Sequence, residues 1–180
     1  MTYSTVKRSE LAGWAEYGYC ASHSRYFWGL RLHLITTLHG LPIAYALTGA
    51  KADERQVLLD LIETDPTLTA PAPSTLMADK HYFGRDFETS LAAAEFTLIR
   101  KARAGERPRP GAHLLKPLRQ IIESVFDTGK GQLDLERHGG RTPAGVIVRV
   151  LQRLLALTAA IWHNDHAGAR PLRSLTAYDH

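Results

Sequence analysis

Cysteine is nearly absent from this chain: Cys20 is the one example in 180 residues. A single thiol excludes an internal disulfide framework and any zinc site built from several cysteines, and it fits a reducing compartment. Long hydrophobic runs are also scarce. No stretch approaches the roughly 18 consecutive apolar residues expected of a membrane span, and residues 1–10 carry no apolar segment of the secretory type. These absences predict a soluble, cytoplasmic protein with no membrane partner. No internal repeat and no low-complexity tract is visible, which excludes a solenoid. Acids are missing early as well: no aspartate precedes Asp53, and the only earlier acids are Glu10 and Glu16.

What is present is ordinary globular composition, 44% hydrophobic and 22% charged, in a length suited to one domain with a substantial core. The net charge of +4 is modest, but its distribution is uneven. Between residues 100 and 119 stand Arg100, Lys101, Arg103, Arg107, Arg109, Lys116 and Arg119, opposed by Glu106 alone and interleaved with Pro108, Pro110, Gly111 and Pro117. Such a basic loop is either a solvated face or a contact for a phosphate backbone, and its composition does not separate the two.

Periodicity predicts the elements. Residues 3–28 show no regular period and read as a mostly irregular lead-in. Over residues 29–38, Leu30, Leu32 and Leu34 alternate with Arg31 and His33, as in a strand. A turn at His39 and Gly40 leads into a second strand over 41–48, giving an antiparallel hairpin. Asp53 can cap a helix bearing Val57, Leu58, Leu61 and Ile62, which ends before Pro66. A short apolar strand over 74–78 delivers Asp79 to a sheet edge. A helix over 85–94 and a strand over 96–99 complete a βαβ-like unit with parallel strands. A helix around residues 118–130 and a long, almost wholly apolar helix over 143–162 follow, the latter expected to be buried on most faces. The order β-β-α-β-α-β-α-α is that of a mixed α/β layer fold.

In the segment RQIIESVFDTGK, helical geometry places Arg119, Glu123 and Lys130 on one face beside the apolar stripe of Leu118, Ile121, Ile122, Val125 and Phe126. Taken alone, this is a solvated face with an i,i+4 ion pair worth about 0.3–0.5 kcal/mol. Asp79 and Glu123 are separated in sequence, yet two carboxylates converging at a sheet edge suit the hard cations Mg²⁺ or Mn²⁺. His163 and His166 are better read as structural or solvent-facing than as a metal pair. Trp14, Tyr17, Tyr19, Tyr26, Phe27 and Trp28 are better read as packing than as base-stacking residues.

Three stretches together resemble the catalytic domain of bacterial insertion-sequence transposases of the DDE type. They are WGLRLHL at residues 28–34, MADKHYFG at 77–84, and the Arg119-x3-Glu123-x6-Lys130 spacing, with Lys116 standing where the family has a tyrosine. The resemblance implies an RNase H-like, retroviral integrase-type mixed sheet flanked by helices. It implies a lead-in over residues 1–28 and a partial catalytic domain over 29–180. Asp79 and Glu123 would be catalytic, metal-binding members of a three-acid set that uses Mg²⁺ or Mn²⁺. Arg119, Lys130, Lys116, Arg107 and Arg109 would meet DNA, the partner being transposon ends and target. The family's first aspartate lies on a strand ahead of the hairpin, and no residue here matches it. The expectation is therefore an N-terminally truncated transposase lacking the first strand, inactive in strand cleavage and transfer by itself. It would act as a homo-oligomer or by pairing with an intact transposase. The alternatives are a non-catalytic DNA-binding or inhibitory fragment, and an RNase H-like nuclease.

Overall fold

The alternation of leucines with Arg31 and His33 is realised in β2 (Arg25–Thr36), the strand around which the rest of the chain is arranged. Because successive side chains leave opposite faces of a strand, Leu34 and Ile35 enter different cores. Ile35 packs against Leu58, Ile62, Phe87, Leu91 and Phe96. Leu34 packs against Val125, Leu157, Ile161 and Leu172. The computed structural model describes residues 9–20, 24–69 and 73–178. Residues 1–8 and 21–23 of the expected lead-in, and the termini of the resemblance, lie outside them.

In chain order the strands are β1 (Glu16–Cys20), β2, β3 (Pro42–Gly49), β4 (Ser74–Met77) and β5 (Phe96–Ile99), and the α-helices are α1 (Glu54–Thr64), α2 (Arg85–Ala93), α3 (Leu115–Gly131) and α4 (Pro143–His166). Helices α1 and α2 supply one core, with β5, and α3 and α4 supply the other, so β2 is covered on both faces. The mixed α/β layering is as the sequence predicts, and so is the parallel pairing of β4 with β5, Ser74 opposite Phe96 through Met77 opposite Ile99.

The sheet itself is divided. Strands β1, β2 and β3 form one antiparallel sheet and β4 and β5 a separate parallel pair. Strand β1 pairs with residues 25–29 of β2, and β3 with residues 30–36. At the β2–β3 turn Gly40 has φ +86°, and a Cβ there would stand 2.9 Å from the Val125 side chain. Only glycine suits both the turn and the close approach of α3.

Four sequence expectations are corrected. The lead-in is not irregular at its end, because β1 forms there and β2 begins at Arg25 rather than at residue 29. Tyr17, Tyr19 and Tyr26 are 47%, 50% and 80% exposed, so these aromatics do not pack against the sheet. They are held by the β1–β2 ladder, where Tyr19 and Tyr26 face each other with ring centroids 5.0 Å apart. Helix α4 is not buried on most faces: Val146, Val150, Leu157 and Ile161 point inward, but Val148, Leu155 and Trp162 are exposed. Contrary to the reading of the sequence, this helix is long and apolar enough to cross a membrane by length and composition, although Arg149 and Arg153 mark it and its inner stripe belongs to a core.

Local signals fix the helix ends. Asp53 caps α1 by accepting from Arg55 N–H at 2.9 Å, and Thr142 caps α4 by accepting from Gly145 N–H at 3.0 Å with Pro143 in the first turn. Pro117 falls in the first turn of α3, where an N–H would have no intrahelical partner. Gly129 costs about 0.8–1.0 kcal/mol against alanine in a helix interior. It admits Leu135, whose side chain would come within 3.3 Å of a Cβ at that position.

The inner side of β2 also carries a buried titratable group. His33 is 8% exposed, and its Nε2 lies 2.8 Å from Thr48 Oγ1. The Thr48 hydroxyl donates to the Gly49 carbonyl, so the imidazole donates through Nε2. Burial lowers the His33 pKa below 6.5, opposed by Glu54 and reinforced by Arg31. The unfolded chain therefore takes up a proton at a higher pH than the folded one. This stabilisation is complete above about pH 6.5 and is lost as pH falls through the folded-state value. Denaturant titrations between about pH 7 and 5 should show stability falling with acid, and the fall should be shallower in His33→Gln. Identical pH slopes in the two proteins would remove His33 as the cause.

Candidate nucleic-acid interface

Asp79 stands just past β4, where the parallel ladder is still closing: Ala78 N–H donates to the Ile99 carbonyl at 3.1 Å. The β4–α2 loop turns back on itself, with Tyr82 N–H donating to the Asp79 carbonyl at 3.1 Å and Phe83 N–H to the His81 carbonyl at 3.0 Å. The Asp79 carboxylate is exposed and, among the described residues, accepts a single long contact, 3.4 Å, from His81 N–H. Tyr82, in the same loop, turns inward against Phe87, and burial pushes its phenol up to about 12. The acid thus lies at the carboxyl ends of parallel strands, the usual place for ligands on an open α/β sheet.

Glu123 sits in the middle of α3 on its solvent side. Arg119 Nε donates to Glu123 Oε1 at 2.7 Å, with the side chains 68% and 52% exposed, so the sequence-predicted pair forms. At that exposure it contributes at most about 0.5 kcal/mol, and a phosphate can displace it. Lys130 lies about 10 Å further along the axis from Glu123, at 1.5 Å per residue. It turns to Glu136 of the following 3₁₀ turn, Nζ to Oε1 3.3 Å. Lys116 is exposed in the first turn of the same helix. Gln120, Glu123, Ser124, Asp127, Thr128 and Gln132 line an open polar depression along this face. Asp127 was not singled out in the sequence, although its position four residues after Glu123 puts it on the same side.

The basic loop divides into two kinds of residue. Arg100 is 3% exposed and is held by two carboxylates, Glu88 of α2 at 2.7 Å and Glu106 at 2.8 Å. Arg109 joins the same network, 2.8 Å from Glu88 and 3.0 Å from Glu106. Arg109, expected to contact DNA, therefore has its guanidinium directed inward to carboxylates. Hydrogen bonds from Arg100, Arg103 N–H and Arg109 hold the Glu106 carboxyl well below the usual range. Arg107 and Arg103 are exposed. The Arg103 guanidinium sits over Phe83, its carbon 3.6 Å from the ring centroid. Neither that stack nor the anchoring role of Glu88 was predicted, because both join segments that are distant in sequence.

Two carboxylates do not make a complete divalent-cation site. Among the described residues no three of His, Cys, Asp and Glu gather into a metal-binding group. His163 and His166, read from the sequence as structural or solvent-facing, are exposed and lie against Tyr178 and Trp162 respectively, with centroids 5.8 and 5.7 Å apart.

A layered α/β domain with an acid at the end of a parallel strand and a second acid on a cationic helix face is an architecture suited to phosphate-bearing polymers. Residues 3–159 match the transposase DDE domain family, and the chain belongs to that family of insertion-sequence transposases. No curated protein and no solved structure matches the chain. Membership carries a function in DNA transposition, a DNA partner and, for domains of this kind in general, dependence on a divalent metal.

Proposed function

We propose that this chain is a DNA-binding DDE transposase domain of the insertion-sequence type, and that it does not carry out strand transfer by itself. The observation that carries the reading is that the family match spans β4 through α3, and so both acid-bearing elements. Asp79 and Glu123 are the two oxygen donors this chain offers to Mg²⁺ or Mn²⁺. Among the described residues no third donor gathers with either, and no reaction step is assigned to them. The sheet is read as RNase H-like, with the catalytic portion running over residues 29–180. The hairpin followed by β4-α2-β5 supports that layout.

The DNA contacts proposed are Arg107, Lys116, Arg119 and Lys130, all exposed. Arg109 is reassigned to holding the loop. Neutralising four phosphates gives a slope of log affinity against log salt of about −3 to −4. The incomplete donor set favours binding without chemistry over a nuclease, which needs the same acids in place.

A titration of the chain against duplex DNA at several salt concentrations, with product analysis after incubation with Mg²⁺ or Mn²⁺ and the element's end sequence, tests this reading. The expected result is salt-dependent binding with neither joined nor nicked products. Joined products would show a complete site, nicked products alone would favour the nuclease, and affinity indifferent to salt would remove the DNA interface.

A further inference from the structure

One exposed cation of the basic loop is held in place far more firmly than its neighbours. The Arg103 guanidinium stacks on Phe83, four residues after Asp79 in the β4–α2 loop. Its backbone is fixed twice to Glu106: Arg103 N–H donates to the carboxylate at 2.9 Å, and Glu106 N–H donates to the Arg103 carbonyl at 3.0 Å. Glu106 is in turn bound by the buried Arg100 and by Arg109. The ion-pair network therefore presses this loop against the loop that carries Asp79.

Phe83 is also fixed through its backbone. Arg55 Nη1 donates to the Phe83 carbonyl at 3.0 Å, and the Arg55 charge is matched by Asp53, which accepts from both Nε and Nη2. No carboxylate pairs with the Arg103 side chain among the described ion pairs. A guanidinium held over a ring still presents N–H donors at its edge, in the planar fork that matches a phosphate's oxygens. Because the stack already limits its rotamers, less freedom is lost when a phosphate binds. Lys80 and Lys101, both exposed, follow the carboxyl ends of the paired strands β4 and β5.

We propose that Arg103, stacked on Phe83 and sharing the loops after β4 and β5 with the exposed Lys80 and Lys101, is a phosphate-binding position for the DNA strand that passes Asp79. The proposal rests on the DNA-binding reading above and adds a positioning role: a phosphate seated on Arg103 sets the register of the backbone beside the acid. A phosphate contact from a side chain pre-set in this way discriminates little between sequences, so it serves any duplex.

The test is a salt titration of duplex DNA of arbitrary sequence against the intact chain and its Arg103→Ala, Arg103→Lys and Phe83→Leu variants. Losing one phosphate contact should lower the magnitude of the salt slope by about one in Arg103→Ala, so that its deficit narrows about threefold between about 50 and 200 mM salt. Arg103→Lys should keep the slope but bind more weakly than the parent at every salt, and Phe83→Leu should resemble it. Arg103 is exposed, so its replacement leaves the fold intact, which circular dichroism checks. If Arg103→Ala kept the parent's slope while the parent bound in a salt-dependent way, the Arg103 assignment alone would fall. If the parent showed no salt-dependent binding, both readings would fall.

Discussion

Leu91→Ala should lower the unfolding free energy by about 3–5 kcal/mol, read as a fall in the urea midpoint at unchanged slope. Leu91 is fully buried in α2, at 0% exposure, among Leu58 and Ile62 of α1, Phe87 of its own helix and Phe96 of β5. Its truncation leaves a cavity where three elements meet, and the surroundings have little freedom to close it because the walls are two helices and a strand. A domain of this size has a total of about 5–15 kcal/mol, so the variant should be close to unfolded at elevated temperature.

The loss should also be felt at the interface. Strands β4 and β5 form a two-stranded pair, and a pair of that size is held by what packs on it. Leu76 and Leu98 of those strands rest on the Leu91 cluster. Salt-dependent DNA affinity should therefore weaken in Leu91→Ala before Val125 and Leu157, in the other core, lose their protection from hydrogen exchange. A loss under about 1.5 kcal/mol would mean that this core is loose and that Asp79 is positioned by something else.

That core was legible in the sequence because its signals are local. The alternation of Leu30, Leu32 and Leu34 with Arg31 and His33 fixed the two faces of β2, and the aspartate cap and apolar spacing of α1 fixed its start and inner stripe. The parallel β4–β5 pair followed from two short apolar strands separated by one helix. Strand β1 was not legible, because EYGYC has an exposed face bearing two tyrosines and no apolar alternation. It is held by backbone pairing with β2 and by Glu16, which accepts from Lys51 N–H 35 residues away. The outward stripe of α4 was misread for a related reason: composition says how apolar a helix is, but not how much of its circumference other elements cover.

The charged site divides along the same line. Arg119 and Glu123 are four residues apart on one helix, and their pairing could be derived from geometry alone. The basic loop could not be sorted, because its anchor, Glu88, stands 12 residues before Arg100 and 21 before Arg109, on a helix whose acids look solvent-facing. Counted as charge, Arg100 and Arg109 resemble Arg107. Their structural role appears only once α2 and the loop are brought together, and it lowers the number of cations available to DNA.

Glu88→Ala should cost about 3 kcal/mol, because it removes one of two carboxylates from a buried guanidinium. Arg100 is 3% exposed, and Glu88 binds it through Nε at 3.1 Å and Nη2 at 2.7 Å. Without Glu88 those donors lose their partner in a place water reaches poorly, and Arg109 loses its 2.8 Å contact as well. Burial raises the Glu88 pKa, but hydrogen bonds and charge from Arg100 and Arg109 outweigh it, and the carboxyl is held below 4.5. A depressed folded-state value means that this stabilisation is present above about pH 4.5 and is lost as pH falls through the folded-state pKa. The parent should therefore lose stability on acidification in that window, and Glu88→Ala should show a shallower loss. Glu88→Gln, which keeps one acceptor oxygen, should fall between the two. Because the network also holds Glu106, and Glu106 holds the Arg103 backbone, the loop should loosen over Phe83 and its amides should exchange faster. A destabilisation below about 1 kcal/mol, or a pH profile identical to the parent's, would show that Glu106 alone satisfies Arg100 and that Glu88 does not fix the loop.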